Sequence, residues 1–143
     1  MWTDDFLQYD WIGSPWWYKD GLNVGNSGFC LQSIKLMRFL ADNAANYPIT
    51  RRYDDQICRE YRPRLMQFKW APENLAAQFA FERSRPAIDS RHFGFHGMFN
   101  WPFVLPPAKI AERMAIARKT DYLKNHAMMA ELEGIFGRQW ARL

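Results

Sequence analysis

The run Val24-Gly25-Asn26-Ser27-Gly28-Phe29-Cys30-Leu31-Gln32-Ser33 starts on small residues, turns apolar and ends on a helix-capping side chain. Small residues let backbone come close to a ligand or to another chain segment. The apolar end fits a short buried strand. Ser33 is placed to cap a helix over 34–44, along which Ile34, Met37, Leu40 and Ala41 keep helical spacing. By itself the glycine-rich start reads as a tight turn entering a strand, and next as the floor of a sugar or diphosphate pocket. A P-loop would need Lys-Ser or Lys-Thr after its glycines, and Phe29-Cys30-Leu31 stands there instead, which excludes that ATPase motif.

Working outward, residues 2–10 read as a short helix running into an extended piece, Tyr9–Ile12. Gly13-Ser14-Pro15 breaks the chain and Asp20-Gly21 marks a turn. Asp54 or Asp55 is positioned to cap a second helix over 55–62, which Pro63 ends. Met66–Trp70 alternates as a short strand would, Pro72 opens a helix over 72–78, and Phe79–Glu82 alternates again. A polar loop follows over 84–91, then an extended His92–Gly97 and a connector marked by Pro102, Pro106 and Pro107. Residues 108–137 have helical composition, with a break near Asn125 or His126. Short strands separated by helices predict an α/β fold.

The 143 residues suit one core, and 48% hydrophobic with 24% charged residues is ordinary for a globular chain. Aromatic residues reach 17%, with seven Trp, enough to thicken a core or to line a pocket that stacks on flat or sugar-like rings. A net charge of +4, spread over scattered Arg with no dense block, suits a phosphate-bearing ligand and also RNA. Cys30 and Cys58 form no CxxC and set up neither a disulfide framework nor a zinc site. No apolar run approaches the ~18 residues of a membrane span and no signal peptide opens the chain, so a cytoplasmic protein is expected.

Three further constellations bear on chemistry. Asp54-Asp55 can serve as helix caps, or as an ionised pair able to act as general base toward a sugar hydroxyl. His92 and His96, on extended chain, lie ~13 Å apart and cannot share one ion, so at most one is a ligand at a given site. Trp11, Trp16, Trp17 and Tyr18, with Phe99–Phe103, offer either sugar platforms or packing between elements.

The order Tyr9-Asp10-Trp11-Ile12-Gly13-Ser14-Pro15-Trp16, then Val24–Ser33, then Asp54-Asp55-Gln56-Ile57-Cys58, then Phe93-Gly94-Phe95-His96-Gly97 resembles a family of glycosyltransferase-like domains. Its members carry YDYIGAPW, GNGGFSLRS, an acidic pair and a closing FGFHG. The resemblance covers about residues 4–103. It implies part of a GT-A-like fold, a mixed sheet with flanking helices: residues 1–105 as the acceptor-side portion and 106–143 as a helical extension. It further implies Asp55 as catalytic base with Asp54 orienting it or binding acceptor. Gly25, Asn26, Ser27, Gly28, Phe29 and Trp16 would line the sugar and acceptor pocket, and His96 would be a ligand to Mn²⁺ or Mg²⁺. A cluster of Arg would assist with phosphates. Ser27, Cys30, Gln32 and Asp54 stand where the family has Gly, Ser, Arg and Glu, and Gln32 removes any contact an Arg would make there.

The implied reaction is transfer from a nucleotide-sugar donor to a glycan or other hydroxyl acceptor. GT-A enzymes grip the nucleotide through an N-terminal half upstream of the first block. Only eight residues precede Tyr9 here, so a chain lacking that half, with weak or no transfer by itself, is the expectation. An exposed strand edge would follow, which a homodimer through that edge or through the 108–140 helices would cover. The alternative is a non-catalytic module binding glycan or nucleic acid through Trp and Arg.

Overall fold

A computed structural model describes residues 1–82, 91–106, 108–110 and 112–113. The chain divides into two compact units, Met1–Glu82 with Ile88–His96, and Arg83–Ala87 with Gly97–Leu143. The described part is mixed α and β, built of short strands and helices. Instead of one mixed sheet, the described strands form two small ones. Strand β1 (Trp11–Gly13) pairs antiparallel with β2 (Cys30–Gln32), with Ile12 opposite Leu31. Strand β3 (Ala80–Phe81) pairs parallel with β4 (Gly94–Phe95).

In the first unit, β1 is buried along its whole length. Successive strand residues point to opposite faces, and here each face seeds its own core. Ile12 joins Phe6, Val24, Ala71, Ala76, Phe79 and Ala80. Trp11 joins Leu36, Ile57, Cys58, Tyr61, Leu65 and Phe68. Phe79 is the hub of the first cluster, 5.1 Å edge-on from Phe6, 5.2 Å from Phe29 and 5.9 Å from Phe93.

The chain enters β1 from a single 3₁₀ turn, Asp4–Gln8, capped by Thr3. Helix α1 (Ile34–Asp42) begins at Ser33, whose Oγ accepts from the Leu36 N–H at 3.0 Å. The same hydroxyl donates to Asp10 Oδ1 at 2.5 Å, and the Ser33 N–H donates to the Asp10 carbonyl at 2.9 Å. The cap therefore also fastens α1 to the start of β1. The buried face of α1 differs from the one its spacing suggested. Leu36 is enclosed against Trp11's cluster, while Ile34 and Met37 are 67% and 53% exposed.

Three other expectations change. The second helix starts one residue before the acidic pair, at Tyr53, with Arg52 as its cap and no side-chain cap bond. It runs only Tyr53–Asp55 (α2) before widening into a π turn, Gln56–Glu60, closed by the Tyr61 N–H on the Gln56 carbonyl at 2.7 Å. Pro63 lies inside the next 3₁₀ turn, Arg62–Arg64, and does not end a helix. Met66–Trp70 is not a strand. Leu65 and Phe68 close a turn and are both buried, which alternation cannot achieve, and only Trp70 bridges to β1, opposite Trp11.

Helix α3 (Glu73–Phe79) follows Pro72 and runs directly into β3. In the second unit, Met98–Asn100 form a turn leading into α4 (Trp101–Val104). Pro102 is in the first turn of α4, where a missing N–H leaves no bond unmade, so this segment is a helix start and not an open connector. Residues 108–110 and 112–113 are helical. The loop expected over 84–90 and the remainder of the 108–137 helices lie outside the described residues.

Candidate functional site

The loop between Val24 and β2 is threaded past three other segments of the first unit. Asn26 is buried; its Nδ2 donates to Glu82 Oε2 at 2.8 Å and its Oδ1 accepts from the Gly28 N–H at 2.9 Å. That second bond is an Asx-type turn, which holds the loop bent locally. Ser27 gives both its N–H and its Oγ–H to Asp54 Oδ2, each at 3.1 Å.

Gly25 and Gly28 are glycines for want of space. A Cβ on Gly25 would meet Cys58 and the Trp16 ring, and a Cβ on Gly28 would run into the His96 imidazole. Gly28 itself is exposed and His96 half-buried, so this contact lies at the surface of the unit. The position of His96 is set by β4, beyond which its N–H donates to the Phe81 carbonyl at 2.9 Å. Burial pushes the His96 pKa down from its ordinary value, and the charge of Asp54 opposes that shift.

The two carboxylates of the acidic pair have different surroundings. Asp54 accepts from Ser27 through Oδ2 and from the Asp55 N–H through Oδ1 at 3.0 Å. The loop has drawn this side chain away from the helix end that it was expected to cap. Asp55 is half-buried, and among the described residues its carboxylate accepts no hydrogen bond. Its charge reaches Arg59, whose guanidinium is held charged chiefly by Asp20. An ionised oxygen with open lone pairs can take a proton from an incoming hydroxyl. Asp54, with its oxygens engaged, is suited to holding the loop.

Gly25, Asn26, Ser27, Gly28, Asp54 and His96 therefore meet, with Asp55 next along the chain. Trp16 touches the loop at Gly25 and also faces a cleft shared with Trp17 and Tyr18. The half-buried Phe29 ring packs against Phe79 of the first core and against the exposed Phe93. His92 packs on Phe81 at 4.6 Å and so is separate from His96's contact with Gly28.

Among the described residues, four of the arginines are engaged with other partners. Arg59 pairs with Asp20 at 2.6 Å, Arg51 pairs with Glu60, Arg62 lies 5.1 Å over Trp70, and Arg64 stacks on Tyr47. Among the described residues no group of three His, Cys, Asp or Glu could hold a metal ion.

Two partners were not foreseen. Glu82 is 56 residues from Asn26, and only its place at the end of the alternating Phe79–Glu82 segment marked it. Gln32 Oε1 accepts from the Tyr53 hydroxyl at 2.7 Å, and burial first of all pushes the Tyr53 pKa up to about 12. No spacing rule connects either pair.

No helix among the described residues is long and apolar enough to cross a membrane. No curated protein and no solved structure matches the chain. A family model described as a protein of unknown function (DUF5672) matches residues 2–96, two thirds of the 143, and that segment holds the loop, the acidic pair and His96. The chain therefore belongs to the DUF5672 family.

Proposed function

We propose that the chain is the acceptor-side portion of a nucleotide-sugar-dependent glycosyltransferase. One observation carries the reading: the Gly25–Gly28 loop, Asp54 and His96 come together although the chain brings them from three distant segments. In this reading the small loop lets a sugar lie close to backbone. Asp55 accepts the proton of the acceptor hydroxyl while that oxygen bonds to the anomeric carbon and the bond to the nucleoside diphosphate breaks. Asp54 positions the loop against the base. His96, kept neutral by burial, presents a ring that can hydrogen-bond without adding charge. Mn²⁺ or Mg²⁺ is the ion that the resemblance to glycosyltransferase-like domains implies.

The test is calorimetric titration of UDP and GDP into the purified chain, with and without Mn²⁺. Binding that weakens in Gly28→Ala, where the new methyl invades the His96 contact, supports the reading. A folded wild-type chain that binds neither nucleotide overturns the donor-binding part of it for this chain.

A further inference from the structure

Trp16-Trp17-Tyr18 form a concave surface on the first unit that the transfer chemistry does not use. The cleft has a volume of about 670 Å³ and is lined by Trp16, Trp17, Tyr18, Lys19, Asn23 and Glu73. Small-molecule sites commonly span about 300–1,000 Å³, with aromatic walls and a few polar groups. Trp17 is 61% and Tyr18 49% exposed. Single exposed aromatics are unremarkable, but contiguous ones in a concavity mark a binding surface.

Trp16 and Tyr18, on either side of Trp17, are held in place before any ligand arrives. The Trp16 N–H donates to the Asn23 carbonyl at 2.6 Å, and Pro15 bridges to Val24. Between them the chain reverses at Gly21, whose φ of 77° suits glycine. Asp20 Oδ1 accepts from the Leu22 N–H at 3.0 Å. Arg59 braces this turn from outside, donating to Asp20 and to the Leu22 carbonyl while its guanidinium lies 3.8 Å over the Tyr18 ring. A rigid shelf loses little freedom on binding.

We propose that this cleft binds a neutral oligosaccharide, with a pyranose ring stacked on Trp17. The C–H face of a pyranose is flat and weakly positive, which matches the negative face of an indole. Asn23, Lys19 and Glu73 offer donors and acceptors to its hydroxyls. Among the described lining residues one Lys and one Glu balance in charge, and Arg59 is committed to Asp20. A nucleic-acid strand needs a row of uncommitted cations along its phosphates. Among the described lining residues Lys19 is the one cation. Binding here needs neither Asp55, a nucleotide nor a metal, so it can stand or fall separately from the transfer reaction.

The test titrates maltohexaose, cellohexaose and chitohexaose into the full chain without nucleotide or metal. At least one is expected to bind. Trp17→Ala then raises its Kd about ten-fold or more, Trp17→Phe has an intermediate effect, and Met66→Ala, at an exposed side chain outside the cleft lining, has none. In the wild-type chain the bound sugar also shifts the Trp17 indole N–H resonance, a readout that holds even if Trp17→Ala disturbs folding. The inference is overturned if none of the three sugars binds a folded chain, or if Trp17→Ala binds as well as wild type with the indole resonance unmoved. Salt-dependent binding of a poly-dT strand in place of sugar overturns it too.

Discussion

Neighbouring side chains with the same chemistry are given different work by their contacts. Asp54 is saturated by Ser27 and by the Asp55 amide, whereas Asp55 keeps an open carboxylate. His96 carries a prediction at this scale. Burial holds its native pKa below the ordinary 6.5, so the unfolded chain takes up the proton more readily than the folded one. Stability is then retained above about pH 6.5 and declines as pH falls toward the lowered native value. Urea midpoints measured at about pH 7.5 and about pH 5.5 should fall more for wild type than for His96→Gln. Equal falls would show that His96 is not the group responsible.

Among elements, the hinge between β1 and α1 rests on a few atoms. Ser33 Oγ accepts from the first turn of α1 and donates to Asp10, whose other oxygen accepts from the Lys69 N–H at 2.9 Å. One hydroxyl thus joins a helix end, a strand start and the segment beside that strand. Ser33→Ala should cost about 1–2 kcal/mol, the upper range for a lost N-cap. Ser33→Thr should recover most of it, since the hydroxyl returns. Chemical unfolding of the two variants distinguishes them, and equal losses would mean that the methyl packing, not the oxygen, matters.

The cap was legible in sequence because capping is local: Ser33 precedes an apolar, helically spaced run. The helix at the acidic pair was not legible in the same way. Asp54 has the right residue type for a cap, but Ser27 competes for its carboxylate from 27 residues away and wins two hydrogen bonds. Met66–Trp70 failed as a strand for a related reason. The Lys69 N–H goes to the Asp10 carboxylate and the Phe68 N–H to the Leu65 carbonyl in a local turn, leaving one bridge at Trp70.

At the scale of the whole first unit, the described residues form two cores placed on opposite faces of a three-residue strand, and its stability depends on them. Neither core is large, so a hub residue counts heavily. Phe79, 1% exposed, touches Phe6, Phe29 and Phe93. Phe79→Ala should destabilise by about 3–5 kcal/mol, a large part of the ~5–15 kcal/mol available to a small domain. Met66→Ala, at a side chain 80% exposed, should stay within about 0.5 kcal/mol. Thermal or urea unfolding of the pair checks the contrast, and similar losses would contradict this placement of the core.

The sequence by itself determined the local devices: the Ser33 cap, the helix after Pro72, the turn at Asp20-Gly21, and the mixed α/β character. Each depends on residues within a few positions of one another, where backbone geometry and side-chain type suffice. Only the tertiary structure decided that Gly28 abuts His96, that Asn26 reaches Glu82, and that the Phe29 ring packs against Phe79. The tertiary structure also separated the roles of Asp54 and Asp55. Those outcomes turn on which distant donor or ring arrives first at a given atom, and hydrogen bonding and close packing across tens of residues leave no periodicity in the chain.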